Sequence, residues 1–239
     1  MKVALHTAAL VGALALGGAT AAQAITIKST TPTWTDIVGG TNTSLNVANG
    51  SFTDARWGNP ANGGGANKRS GLGFDSASPP SISVPADTVF LLGTLRHYNN
   101  PITGAATSVA LNLLTTIADA NPSKQTFSYG FDIDETTNAT PCQYPSGKNP
   151  CADKITFRNL DTTSAFSIGG VDYTLVLSGF STDGGRTFTD SFISQEGSTN
   201  QAGLYAKFTA ATSVPEPLSL SLMGVGLVAV GAMRVRRRF

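Results

Sequence analysis

Asp132, Asp134 and Glu135 sit together in "FDIDET", and Asp153 follows closely on the second of the chain's two cysteines, Cys142 and Cys151. Carboxylates at alternate positions, drawn toward a further Asp by a closed loop, make an all-oxygen ligand set of the kind that holds Ca²⁺. The spacing lacks the glycine and the distal Glu of an EF-hand loop. On an exposed strand face Asp132 and Asp134 are expected simply to be solvated. The favoured expectation is therefore no cofactor, with Ca²⁺ on Asp132, Asp134, Glu135 and Asp153 as the alternative.

Other chemistry is thinly supplied. The chain has two histidines, His6 and His97. One histidine in the body cannot build a multi-His zinc site. The G-x-S-x-G setting of a serine nucleophile is absent, as are the P-loop, GxGxxG and HExxH. His97 is expected to end a strand and hydrogen-bond the "NNPI" turn that follows. A glycosidase needs two carboxyl groups flanking a sugar bond. Glu135, Glu196 and several Asp are available, but nothing ties a pair together, so an enzyme is not expected. Flat side chains suit sugar stacking, and Trp34, Trp57 and Tyr98, with His97 and Asn99 nearby, offer a glycan-contact reading. Its rival is that both tryptophans are packing residues, since Trp is mostly buried.

The elements that would carry these residues read as strands. Phe127, Tyr129, Phe131 and Ile133 alternate with polar residues, as do Val109, Leu111, Leu113 and Ile117. The same period recurs in Val171, Tyr173, Leu175 and Leu177, and in Leu204, Ala206 and Phe208. Gly169-Gly170 and Asp183-Gly184-Gly185 mark hairpin loops between runs. Residues 57–81, rich in Gly, Asn and Pro, read as a long loop. Only 13% of the chain is charged, which is poor material for surface helices. The expectation is a mainly β body: a single antiparallel β-sandwich, jelly-roll-like, over residues 25–213.

Both ends differ from this body. Residues 1–24 open with Lys2, continue through a short run of small apolar residues and end in Ala22-Gln23-Ala24. That is the layout of a secretory signal peptide, with cleavage expected after Ala24. An even cysteine count in an exported chain then implies a Cys142–Cys151 disulfide. At the other end, Leu218 to Met233 would make an apolar helix of about 24 Å, short for a bilayer but assisted by flanking arginines. Arg234, Arg236, Arg237 and Arg238 would stay cytoplasmic and leave the body outside. Between Ile25 and Val214 there are 11 basic and 14 acidic residues, a net of −3. Such a body has no electrostatic footprint for nucleic acid.

Val214-Pro215-Glu216-Pro217, the apolar run and the basic terminus together resemble the PEP-CTERM sorting signal of Gram-negative, exopolysaccharide-producing bacteria. That resemblance covers residues 214–239. It implies an exosortase as processing partner, a transient stay in the inner membrane, and delivery to the cell surface or extracellular matrix. A second resemblance spans most of the body. "RHYNNPI" is similar to the signature of the PEP-CTERM subgroup named for a Thr-His-x-Asn motif, with Arg96 in place of the Thr. "FDIDET", the cysteine loop and "SFTDARWGNP" resemble the same group. It implies a secreted β-rich domain without an assigned activity.

The combined expectation is an exported surface or matrix protein, structural or adhesive, working in contact with exopolysaccharide. The alternatives are a calcium-dependent carbohydrate-binding module and a polysaccharide hydrolase.

Overall fold

The computed structural model describes residues 23–46, 50–61, 63–78, 80–144, 151–159 and 164–210. The leader-like residues up to 22, the Val214–Pro217 motif, the apolar run after it and residues 145–150 of the cysteine loop lie outside the described residues. Among the described residues no helix is long and apolar enough to cross a membrane.

The body is mainly β and antiparallel throughout. In chain order the strands are β1 (Ala24–Gly39), β2 (Ser44–Leu45), β3 (Phe52–Trp57), β4 (Asn59–Pro60), β5 (Ser70–Ser76), β6 (Ile82–Pro85), β7 (Phe90–Asn99) and β8 (Ile102–Thr103). They continue with β9 (Ala106–Ile117), β10 (Lys124–Asp134), β11 (Asp153–Asn159), β12 (Phe166–Ile168), β13 (Val171–Ser181), β14 (Ser191–Ser194) and β15 (Ser198–Ala210). One sheet runs β14-β11-β10-β9-β1-β6, the other β12-β13-β15-β7-β5-β3-β2, and β4 pairs with β8 in a small ribbon.

The two large sheets share one apolar core. Phe127, Tyr129, Phe131 and Ile133 point into it from β10, and Leu175, Leu177, Leu204, Ala206 and Phe208 meet them from β13 and β15. Period-two alternation leaves one face of each strand apolar, and burying both faces against each other removes that surface from water. Two polar atoms cross the layer: Trp34 donates its indole N–H to the Thr53 carbonyl at 3.2 Å, and Tyr129 donates its hydroxyl to Leu175 at 3.2 Å. Val171 is the exception to its run. At the hairpin end it is 42% exposed, while Tyr173, Leu175 and Leu177 are buried.

Two expectations for the segments between strands give way. Residues 57–81 are not one loop: β5 lies inside the seven-stranded sheet, between β7 and β3. Its sequence, Ser70-Gly71-Leu72-Gly73-Phe74, alternates glycine with large core residues, and Leu72 and Phe74 are fully buried. A Cβ at Gly71 would come within 2.2 Å of the Ala55 carbonyl oxygen, so the glycine is needed for close strand approach. The Asp183-Gly184-Gly185 segment is no simple hairpin either. A Phe180–Thr189 bridge closes the turn, and β14 then joins the opposite sheet beside β11. Gly169-Gly170 does join β12 to β13 as a hairpin, with Ile168 opposite Val171.

Candidate functional site

β7 carries His97 and Asn99 on its inward face, with Arg96 and Tyr98 turned the other way. The H-x-N spacing therefore delivers both side chains to the same interior. At that end of the body, the six-stranded sheet contributes Glu135, the first residue beyond β10, and Asp153, the first residue of β11. The turn between β14 and β15 adds Glu196. This turn passes from one sheet to the other, because β14 pairs with β11 while β15 pairs with β7.

One ligand atom each from His97, Glu135 and Asp153 lies within 4.8 Å of the other two. His97, Asn99 and Asp153 have no exposed surface. Asp153 accepts hydrogen bonds on Oδ1 from the Thr136 N–H at 2.8 Å and the Thr136 hydroxyl at 3.2 Å. Glu196 accepts one on Oε2 from the Asn138 amide at 3.0 Å, and Asn99 donates to the Ser194 carbonyl at 2.9 Å. Other polar atoms of the group are buried and have no hydrogen-bond partner among the described residues. They are His97 Nδ1 and Nε2, Asp153 Oδ2, Glu135 Oε2, Glu196 Oε1 and Asn99 Oδ1. His97 thus ends no hydrogen bond on the turn after it. Its ring stacks near Trp57, with centroids 6.5 Å apart and planes 26° off parallel.

The electrostatics follow from this crowding. Burial, reinforced by the charges of Asp153 and Glu196, pushes the Glu135 carboxyl up to about 9. Burial likewise raises Asp153 to about 7, opposed by the Thr136 hydrogen bonds and the nearby Asn99 amide and reinforced by Glu196. Glu196 is raised by burial against the pull of Asn138 and the Gly197 N–H. His97 is lowered to about 3 by burial alone, which keeps its imidazole neutral. Among the described residues the ion pairs are Arg56–Asp54, Arg96–Asp75 and Arg158–Asp132, and none reaches the group.

The four carboxylates proposed from sequence therefore separate. Glu135 and Asp153 converge; Asp132 and Asp134 belong to the outer face of β10. Asp132 pairs with Arg158 at 2.8 Å, and exposed Asp134 accepts from the Tyr144 hydroxyl and, at 3.2 Å, from Gln143. The Cys142–Cys151 bond is present, with Cα atoms 5.2 Å apart, and it closes the connection that leads from Glu135 to Asp153. His97 and Glu196 complete the group from the opposite sheet and the crossing turn. Linear reading did not join them to the acids, although the inward H-x-N alternation was available as a signal.

The glycan-contact residues are placed differently from the expectation. Trp57, His97 and Asn99 are fully buried, and the Arg56 guanidinium covers Tyr98 at 3.4 Å from the ring centroid. Trp34 is buried as well. These side chains pack rather than present flat faces to solvent. A surface depression is lined by Pro60, Gly63, Lys68, Asn100, Pro101 and Gly197, of which Asn100 and Gly197 are the chain neighbours of Asn99 and Glu196. Compared with known proteins, the chain matches no family model and no curated sequence.

Proposed function

We propose that this is an exported cell-surface or matrix protein, structural or adhesive in its work, carried as a jelly-roll-like sandwich between a leader and a sorting tail. The observation that supports it best is the Cys142–Cys151 bond in a small, weakly charged β body, since such bonds persist in oxidising compartments. The order of Val214-Pro215-Glu216-Pro217, apolar run and arginine cluster agrees with an exosortase as processing partner and exopolysaccharide as surroundings. Ile25 and Ile27 are core residues of β1, so cleavage after Ala24 would remove only the first residue of that strand and leave its core-facing residues on the mature chain. The decisive measurement is the intact mass of protein recovered from the surface and medium of its host. A mass starting at Ile25 and ending near the Pro-Glu-Pro segment is expected. A mass that retains Leu218 to Phe239 would make the tail a permanent anchor and overturn the sorting reading.

A second reading, a cation-dependent carbohydrate-binding module, draws on the convergence of Glu135 and Asp153 and on the depression that contains Lys68 and Asn100, the latter next in the chain to Asn99. In this reading the sugar sits on the depression, away from Trp57. Co-sedimentation with host exopolysaccharide, abolished by Lys68→Ala together with Asn100→Ala, is the expected result. Hydrolysis is less well served. A general acid must reach the glycosidic oxygen, and Glu135 Oε2 is buried against other carboxyl groups.

A further inference from the structure

We propose that His97, Glu135 and Asp153, with Glu196 alongside, bind one divalent transition-metal ion of the Zn²⁺ or Mn²⁺ type, and that this ion joins the two sheets at their shared end.

The warrant is a mismatch between donors and acceptors. Three carboxylate oxygens and two ring nitrogens are buried together without partners among the described residues. With the carboxyls ionised, a neutral imidazole supplies a single N–H, too few donors for the oxygens that face it. Buried polar atoms are otherwise almost always paired, so a group of five that is not paired needs a further occupant. No Lys or Arg ion pair among the described residues reaches the group, and a cation is the occupant that would satisfy the three oxygens and one of the two ring nitrogens, the other ring nitrogen carrying the N–H. Donors held at about 2.0–2.2 Å from one ion lie about 3–4 Å from each other. The present separations, at most 4.8 Å, close to that range by small side-chain rotations.

The ligand types select the class of ion. Ca²⁺ takes oxygen ligands, and here an inward, fully buried imidazole stands among the acids. Imidazole suits borderline Zn²⁺, and the carboxylates beside it also suit the harder Mn²⁺. The positions of the ligands then define what the ion does. His97 belongs to the seven-stranded sheet, Asp153 to the six-stranded sheet, and Glu196 to the turn that crosses between them. The Cys142–Cys151 bond restrains the excursion between Glu135 and Asp153, so it pre-orders half of the ligand set. This assignment stands apart from the sorting reading, since an unprocessed tail would leave it intact.

The test uses the full chain exported by its host and purified without chelator. Metal analysis should find about one equivalent of a transition metal. After stripping with chelator, Zn²⁺ or Mn²⁺ should raise the unfolding temperature again. His97→Gln and Glu135→Gln should each weaken Zn²⁺ binding by more than the roughly 100-fold typical of losing an outer hydrogen-bond partner, while Asp134→Asn should leave it unchanged. Co²⁺ added to the stripped wild type should show the visible absorption of a nitrogen-ligated site, a readout that survives even if the His97 variant fails to fold. Absence of any response to Zn²⁺, Mn²⁺ and Co²⁺ would overturn the proposal. So would unaltered Zn²⁺ affinity in His97→Gln, or a response to Ca²⁺ alone that Asp134→Asn abolishes.

Discussion

Two carboxylate-bearing regions of this molecule solve the same problem in opposite ways. In the turn after β13, exposed Asp183 accepts hydrogen bonds from the Ser181 hydroxyl, the Arg186 and Thr187 N–H groups and the Thr187 hydroxyl, at 2.7–3.1 Å. Those donors, Ser181 and Thr187 foremost, hold its carboxyl well below the usual range. At the other site Glu135, Asp153 and Glu196 are packed together with buried oxygens that no donor meets, and their carboxyls are raised. The first region is a finished Asx-type turn whose charge is fully served by its own chain. In the second, by the proposal above, a cation would supply what the chain does not. Counting acids, one against three, does not explain the opposite shifts; counting donors does.

The contrast is broken most forcefully by taking the cation away. If the proposed ion is present at about 1,000 times its dissociation constant, it contributes about 4 kcal/mol. Chelation should then lower the melting temperature by about 8–16 °C in a body of this size. A flat response in differential scanning calorimetry would put the carboxylate group on the same footing as the Asp183 turn. Removing the disulfide comes next. Cys142→Ser with Cys151→Ser should cost about 2–3 kcal/mol through the freed loop, and urea unfolding with and without Zn²⁺ should show a smaller metal response than wild type. A metal response equal to wild type would mean that the bridge does not order the ligands.

Asp153→Asn sharpens the comparison from the other side. It keeps an acceptor for Thr136 while removing one of the crowded charges. Without metal it should be as stable as wild type or about 1 kcal/mol more stable, because like charges at a buried site destabilise it. Its melting temperature should not respond to Zn²⁺. Clear destabilisation in metal-free buffer would mean that the charge is already compensated within the protein. The smallest effect belongs to Asp183→Ala. Amide exchange at Arg186 and Thr187 should accelerate while the global unfolding midpoint hardly moves, since that turn is exposed. A large drop in the midpoint would show the turn to be part of the core's cooperative unit.

Strands whose inward residues are large and whose outward residues are polar were legible from the sequence, and β9, β10, β13 and β15 are of this kind. β5 was hidden because its outward positions are glycines needed for close approach, and a run of glycines resembles a loop. β1 was hidden by Pro32 and a series of threonines. It nevertheless pairs along most of its length with β9, shifting register at Ile27/Ser29 and again beyond Thr35. The site divides in the same manner. Glu135 and Asp153 are linked through the cysteine loop, so local reasoning paired them. His97 and Glu196 arrive through sheet-to-sheet packing, a long-range arrangement that spacing along the chain does not encode. Asp132 and Asp134 had the right chemistry on the wrong face, because strand alternation turns alternate residues outward.

The position of β15 carries a mechanical consequence. It is the last described strand, 13 residues long, and it lies between β13 and β7. A body tethered through its C-terminal end receives tension along this strand. Both ladders then resist in shear, many hydrogen bonds loaded at once, where an edge strand would peel away bond by bond. Placing the last described strand between two partners would suit the proposed surface protein if it is held from its C-terminal side.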